Sequence, residues 1–139
     1  MRALWAADNA SFDGEFVTFD GMSSNPKPAH GSVPITIGGH SRAAAERAGR
    51  MGNGFFPAKG DMAELAEVAR TTAEEHGRDG AALDITGIHP GLFSDDMAGA
   101  VEEAAAWGLD RLVVPSFMFF RNPEESIAAM GEKIAPFVD

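Results

Sequence analysis

Hydrophobic and polar positions change period several times along this chain, and each change marks an element. Between Val33 and Pro57 the sequence reads VPITIGGHSRAAAERAGRMGNGFFP. Its β-branched run, bounded by Pro34 and Gly38, has the compact apolar character of a buried strand. Ser41 is a favourable N-cap, and RAAAERAGR supplies strong helix formers to about Arg50. A glycine-rich turn then precedes a second short strand, expected at Gly54 to Pro57. Asp61 caps the next helix, MAELAEVARTTAEEHG, in which Met62, Leu65, Ala66, Ala69 and Ala73 form one apolar stripe and Gly77 is a natural stop. ALDITGI predicts a third strand. Ser94 is the expected cap of DDMAGAVEEAAAWG, with Met97, Val101, Ala104 and Ala105 on its buried face and Gly108 as its stop. DRLVVPSF predicts a fourth strand, and a last helix starts near Pro123, a residue suited to the first helical position.

The beginning of the chain has a different texture. Met1, Leu4 and Trp5 have helical spacing, and the rest of MRALWAADNASF has the polar character of a loop. GEFVTFDG alternates as a short strand or hairpin arm does, and MSSNPKPAHGS has the prolines and small polar residues of a loop. Residues 1–31 thus read as a lead-in of helix end, short strand and loop, and residues 32–139 as the β/α units of a single domain. Strand and helix alternate four times. That order predicts an α/β fold with a parallel sheet and right-handed crossovers, either doubly wound or a barrel.

Composition narrows the possible partners. At 139 residues, 45% of them hydrophobic, the chain has material for a real core. A net charge of -10 argues against a nucleic-acid backbone as partner, while leaving room for one phosphate held locally. There is no cysteine, which excludes disulfides and thiolate metal sites. No apolar run approaches the roughly 20 residues that cross a bilayer, and the first residues lack the pattern of a secretory signal. The expectation is a cytoplasmic protein with no membrane, nucleic-acid or metal partner.

In parallel α/β folds, ligands gather at the carboxyl ends of the strands. After the first predicted strand stand Gly38, Gly39, His40 and Ser41, at the start of a helix. Two readings fit them: a tight βα turn with Ser41 as cap, or an anion cradle of backbone N–H groups with His40 and Ser41 beside it. After the second strand, Lys59 is either a solvated loop lysine or a further contact to the same anion. After the third, Thr86, His89 and Phe93 fall in TGIHPGLFS. His89, extended before Pro90, is either inert or turned into a pocket as an acid, base or donor. PSFMFF after the fourth strand presents Phe117, Met118, Phe119 and Phe120, as core, as partner contact or toward a ring system. Other templates are absent: no phosphate-loop lysine follows a glycine loop, no GxSxG elbow occurs, the histidines lack zinc spacing, and GGHS is not GxGxxG.

Taken together, LWAADNASFDGEFVTFDGM, PKP, VPITIGGHSRAAAERAGRMGNGFFP and GLDRLVVP resemble the luciferase-like monooxygenase family, and most of all its branch using the deazaflavin coenzyme F-420 (F420). The resemblance spans nearly the whole chain. It implies a (β/α)8 TIM barrel that binds F-420, or alternatively FMN, at the carboxyl face of its strands. It implies that IGGHS is the phosphate-side loop, with close backbone approach at Gly38 and Gly39, His40 and Ser41 beside the phosphate, and Lys59 as a phosphate contact. Asn53 departs from the family, which usually has Asp there, so the position keeps a hydrogen-bond acceptor and loses a charge.

A barrel of this kind needs about 250 residues, so the chain is expected to hold four or so β/α units, a C-terminal portion that is incomplete on its own. The implied function is that of a flavin- or F-420-dependent oxidoreductase or monooxygenase acting on a small organic substrate, with this chain carrying the coenzyme phosphate-binding half. The alternatives are a non-catalytic half-barrel module and a truncated gene fragment without turnover. Two unpaired sheet edges and an apolar sheet face are expected to drive homo-oligomerisation, pairing with a chain that completes the barrel, or rearrangement.

Overall fold

The computed structural model describes residues 1–57, 59–94 and 96–137; the side chains of Phe93 and Met118, both singled out in the sequence, also lie outside the described residues. The chain forms two compact units, Met1–Pro34 and Ile35–Asp139.

In the first unit a short helix α1 (Arg2–Ala6) precedes two antiparallel strands, β1 (Ala10–Asp13) and β2 (Thr18–Met22). The stretch expected to be loop is therefore half of a hairpin. Its sequence lacks the alternation of a half-buried strand, and cross-strand partners supply what alternation does not. Phe12 stacks on Phe19 with ring centroids 5.9 Å apart, Ser11 Oγ donates to Asp20 at 2.5 Å, and Thr18 Oγ1 donates to Asp13 at 2.9 Å. Lys27 Nζ donates to the carbonyls of Leu4 and Ala7 at 2.7 and 2.6 Å, satisfying the end of α1 with a cation.

The second unit is an α/β fold on a four-stranded parallel sheet of order β3-β4-β5-β6. The strands are β3 (Thr36–Gly38), β4 (Gly54–Phe56), β5 (Asp84–Gly87) and β6 (Arg111–Leu112). Helices α2 (Arg42–Met51), α3 (Met62–Glu75) and α4 (Met97–Ala106) connect them, and α5 (Pro123–Ile134) follows β6. The register pairs Gly38 with Phe56, Phe55 with Ile85, and Thr86 with Arg111. β6 is much shorter than the apolar run suggested. One more ladder bond runs from Val113 N–H to the Gly87 carbonyl, and then Pro115, which has no N–H, leads into a 3-10 turn at Ser116–Phe119.

The core lies between the sheet and α2, α3 and α4. Phe55 and Ile85 are fully buried against Ala44, Ala45 and Ala48 of α2 and Leu65, Ala66 and Ala69 of α3. Small residues bring α2 and α3 close together: a Cβ on Gly49 would run into the Ala69 carbonyl oxygen and come within 2.7 Å of Thr72 Cβ. On α4, Met97, Ala100 and Ala104 are buried and Ala105 is exposed, contrary to expectation. The α4 cap also differs. Asp96 Oδ1 accepts the Gly99 N–H at 2.9 Å, whereas Ser94 closes the preceding turn by donating to the Gly91 carbonyl at 2.8 Å.

Strand alternation gives the sheet two unlike faces. Ile37, Phe55, Ile85 and Leu112 belong to the face packed in the core. The opposite face was expected to be apolar and is instead largely polar. Arg111 pairs with Asp84 at 2.6 Å, Thr86 Oγ1 donates to the other Asp84 oxygen at 3.2 Å, and Thr36 and Asp84 close over Gly54, where a Cβ would come within 3.1 Å of Thr36 Oγ1. The β-branched runs in the sequence advertise burial without saying which face carries it. Among the described residues, β3 and β6 each have one sheet neighbour, so both edges are open.

Candidate functional site

Because all four strands of the sheet are parallel, the loops that follow β3, β4 and β5 leave from one edge. Ser41 and Lys59 each stand three residues beyond a register-paired position, Gly38 and Phe56, so their loops are neighbours. The Gly39 N–H donates to the Phe56 carbonyl at 3.2 Å and prolongs the ladder by one bond.

The two glycines differ in kind. Gly39 has φ +144, and a Cβ there would lie 2.6 Å from Ala44 Cβ, so the close packing of α2 on the turn requires glycine. Gly38 has no such need: a Cβ there would meet nothing within 4 Å. Its bare backbone faces open space. Ser41 Oγ accepts the Ala44 N–H at 3.3 Å, which caps α2 and leaves the hydroxyl proton able to donate outward. The N–H groups of Arg42 and Ala43, in the first turn of α2, have no partner among the described residues. His40 and Lys59 are exposed, and among the described residues Lys59 has no carboxylate partner. An exposed glycine backbone, two free N–H groups, a hydroxyl, an imidazole and an unpaired ammonium on adjoining loops are the donor set that a phosphate monoester or diester takes. These residues fit a coenzyme phosphate. The aromatic ring of such a coenzyme has no comparable seat among them.

Two concavities of this unit lie elsewhere. One is a groove of about 280 Å³ between α2 and α3, lined by Arg42, Glu46, Glu67, Thr72 and His76. Another is an apolar cavity of about 540 Å³ beside α4, β6 and α5, lined by Val101, Leu109, Leu112, Ile134 and Phe137. Neither includes Gly38, Gly39, His40, Ser41 or Lys59. Among the described residues no cluster could hold a metal ion, and no helix is long and apolar enough to cross a membrane.

His89 does not line this edge as a free acid or base. It is 6% exposed, its Nδ1 accepts the Gly91 N–H at 3.0 Å, and its ring lies 4.5 Å from Trp107 at the end of α4. Nε2 stands 3.2 Å from Glu103 Oε2, at ion-pair distance but without hydrogen-bond alignment. Thr86 is held by Asp84 on the polar sheet face. Asn53 keeps the role open to an amide: its Oδ1 accepts the Ile35 N–H at 3.1 Å and so joins the turn after α2 to the start of β3. Phe117 and Phe120 are exposed.

Comparison with known proteins places the chain. The sequence profile described as luciferase-like monooxygenase matches residues 1–134. The chain belongs to the luciferase-like monooxygenase family. An F420-dependent glucose-6-phosphate dehydrogenase of Rhodococcus erythropolis (strain PR4 / NBRC 100887) is 30% identical over 134 residues, covering 93% of this chain and 40% of that protein. An FMNH(2)-dependent dimethylsulfone monooxygenase of Pseudomonas fluorescens (strain Pf0-1) is 35% identical over 80 residues, covering 55% of this chain and 22% of that protein. Of solved structures, the coenzyme F420-dependent tetrahydromethanopterin reductase from Methanopyrus kandleri shares the fold at a TM-score of 0.56 and 16% identity, over 63% of this chain and 26% of that one. The chain thus spans less than half the length of each of these relatives.

Proposed function

We propose that this luciferase-like chain forms the coenzyme phosphate-binding part of a flavin- or F-420-dependent oxidoreductase or monooxygenase, with F-420 as the coenzyme and FMN as the alternative. The observation that carries the reading is the pair of adjoining loops at one sheet edge: Gly38–Ser41 at the start of α2, and Lys59 after β4. The relatives that match this chain include both F420-dependent and FMNH(2)-dependent enzymes, which supports the coenzyme class.

In this reading the backbone at Gly38 lets the phosphate approach closely. The N–H groups of Arg42 and Ala43 and the Ser41 hydroxyl donate to its oxygens, and the α2 dipole and Lys59 balance its charge. His40 adds a further donor. When bound, the coenzyme ring supplies the redox chemistry, and the residues of this chain anchor and orient it. The substrate is a small organic molecule. The four parallel strands are the C-terminal part of a (β/α)8 barrel. A second copy, or another chain, pairs along β3 and β6 to complete the chamber, in a cytoplasmic assembly without nucleic acid or membrane.

The test is titration of the purified chain with F-420 and, separately, with FMN, followed by coenzyme fluorescence or absorbance. Saturable binding of either is expected, with F-420 the tighter. No binding of either at coenzyme concentrations of tens of micromolar, around the middle of the usual range for enzyme ligands, would refute the reading.

A second reading, a half-barrel binding module without turnover, is favoured by two observations. The histidine that stood as a possible acid or base, His89, is turned onto α4, and Asp84 is engaged by Arg111 and Thr86. Saturable coenzyme binding with no change in coenzyme redox state on addition of alcohol, sugar-phosphate or sulfone substrates supports that module; turnover removes it.

A further inference from the structure

We infer that His89 is a positioning residue, held in the one neutral tautomer with its proton on Nε2, which pins the loop after β5 to α4 and so fixes one wall of the coenzyme edge. That the loop is a wall of this edge rests on the functional reading above; the pin itself rests on geometry alone.

Three contacts define the pin. The Gly91 N–H donates to Nδ1 at 3.0 Å, so Nδ1 is an acceptor and the neutral ring must carry its proton on Nε2. That Nε2–H faces the α4 carboxylate of Glu103 at 3.2 Å. It is a buried polar atom with no hydrogen-bond partner among the described residues, so Glu103 supplies electrostatic attraction rather than a closed bond. The ring then lies on Trp107, one turn further along α4.

The loop is built around this arrangement. His89 is the cap of the 3-10 turn at Pro90–Phe93, and its Nδ1 plays the part that a shorter polar side chain plays in an Asx turn. Gly91 has no room for a side chain: a Cβ would sit 2.8 Å from Ala100 Cβ and 3.0 Å from His89 Nδ1. Leu92, next in the turn, is buried. The turn is thus clamped between the imidazole and α4. It leaves the sheet from the same edge as Gly38–Ser41 and Lys59, because β5 runs parallel to β3 and β4. Where the turn goes, that wall of the edge goes with it.

The chemistry of the ring suggests a pair of variants that separate its two nitrogens. Asn places its Oδ1 where Nδ1 stands and keeps the acceptor for Gly91, so H89N retains the turn while losing the reach to α4. Gln carries its amide near Nε2 and offers Gly91 no matched acceptor, so H89Q loses the turn. Two measurements on the whole chain decide the matter. Long-range 1H–15N correlation of the wild-type imidazole at neutral pH should show the Nε2–H tautomer; the Nδ1–H tautomer overturns the inference and needs no variant to fold. Hydrogen exchange of the Gly91 amide should be slowed in wild type and in H89N, and accelerated by about ten-fold or more in H89Q, where a half-buried donor is left without its acceptor. Equal exchange in the two variants overturns the role of Nδ1 as the acceptor that holds the turn.

F-420 titration of the same proteins then links the pin to the site: H89N and H89Q, which both lose the reach to α4, are expected to bind several-fold more weakly than wild type. If the wild type binds neither F-420 nor FMN, the functional reading fails, while the tautomer and the amide exchange still judge the pin. If both variants bind as tightly as the wild type, the pin is structural only and its role as a wall is overturned.

Discussion

At the scale of single residues, the two glycines after β3 carry opposite predictions. In the sequence Gly38 and Gly39 are indistinguishable, and both serve a tight turn or an anion cradle equally well. Only the backbone angle and the position of Ala44 separate them. Gly39→Ala is expected to destabilise the fold by about 1–3 kcal/mol, because the residue would have to adopt a strained conformation and displace Ala44; urea unfolding measures it, and an unchanged midpoint would contradict the account. Gly38→Ala should leave the unfolding midpoint within about 0.5 kcal/mol of wild type, since its Cβ meets nothing. The same change should weaken F-420 binding several-fold by filling the space the phosphate takes. Lys59→Ala, at an exposed position, should likewise spare stability and weaken F-420; unchanged affinity would remove Lys59 from the site. His89 teaches the complementary lesson. A histidine before a proline gave no hint of which nitrogen is engaged, and the contact with Gly91, two residues on, settles it.

At the scale of elements, helices were more legible than strands or caps. The apolar stripe of α3 falls where its period says, with Leu65, Ala66, Ala69 and Ala73 buried, because a helix of that length shows its burial every third or fourth residue. The strands are three or four residues long at most in the parallel sheet, too short for alternation to declare a face. Caps compete locally: Ser94 was the expected cap, but Ser94 closes the 3-10 turn and Asp96 caps α4. Asp96→Ala is therefore expected to lower stability by about 1 kcal/mol as an N-cap loss. Ser94→Ala should cost less, because it leaves the α4 cap intact; thermal unfolding of the two variants checks the order. Gly49 reads in sequence as a weak spot in a helix, yet it sits where α2 and α3 touch. Gly49→Ala should destabilise by about 1–3 kcal/mol through overpacking, although helix propensity alone predicts a gain.

At the scale of the whole molecule, the two open edges of the parallel sheet and its polar face point in different directions. Unpaired edges favour association, whereas a face carrying Thr36, Asp84, Thr86 and Arg111 tolerates water. Association through the edges, rather than through a greasy face, is the expected outcome. Sedimentation velocity should show a species larger than the 14.6 kDa chain. A monodisperse monomer at tens of micromolar protein, a concentration at which micromolar dimers populate, contradicts edge pairing.

By itself the sequence determined the α/β class, the order of strands and helices, the family and the two loops at the carboxyl edge. Each of these is written in local periodicity and in short runs such as VPITIGGHS and GNGFFP. The tertiary structure alone decided the rest. It made a strand of Ala10–Asp13, which reads as loop, because β2 supplied a partner for it. It also decided that the face of the sheet away from the helices is polar, that Gly38 is open where Gly39 is packed, and that His89 turns to α4. It revealed Arg70, which binds the carbonyls of Gly80 and Gly108 and the Asp110 carboxylate, and Arg78, which donates to the carbonyls of Gly49 and Gly52. The physical reason is the same for the strand and for both arginines. They depend on which atoms meet across 5 to 40 residues of chain, and neither period nor propensity carries that information.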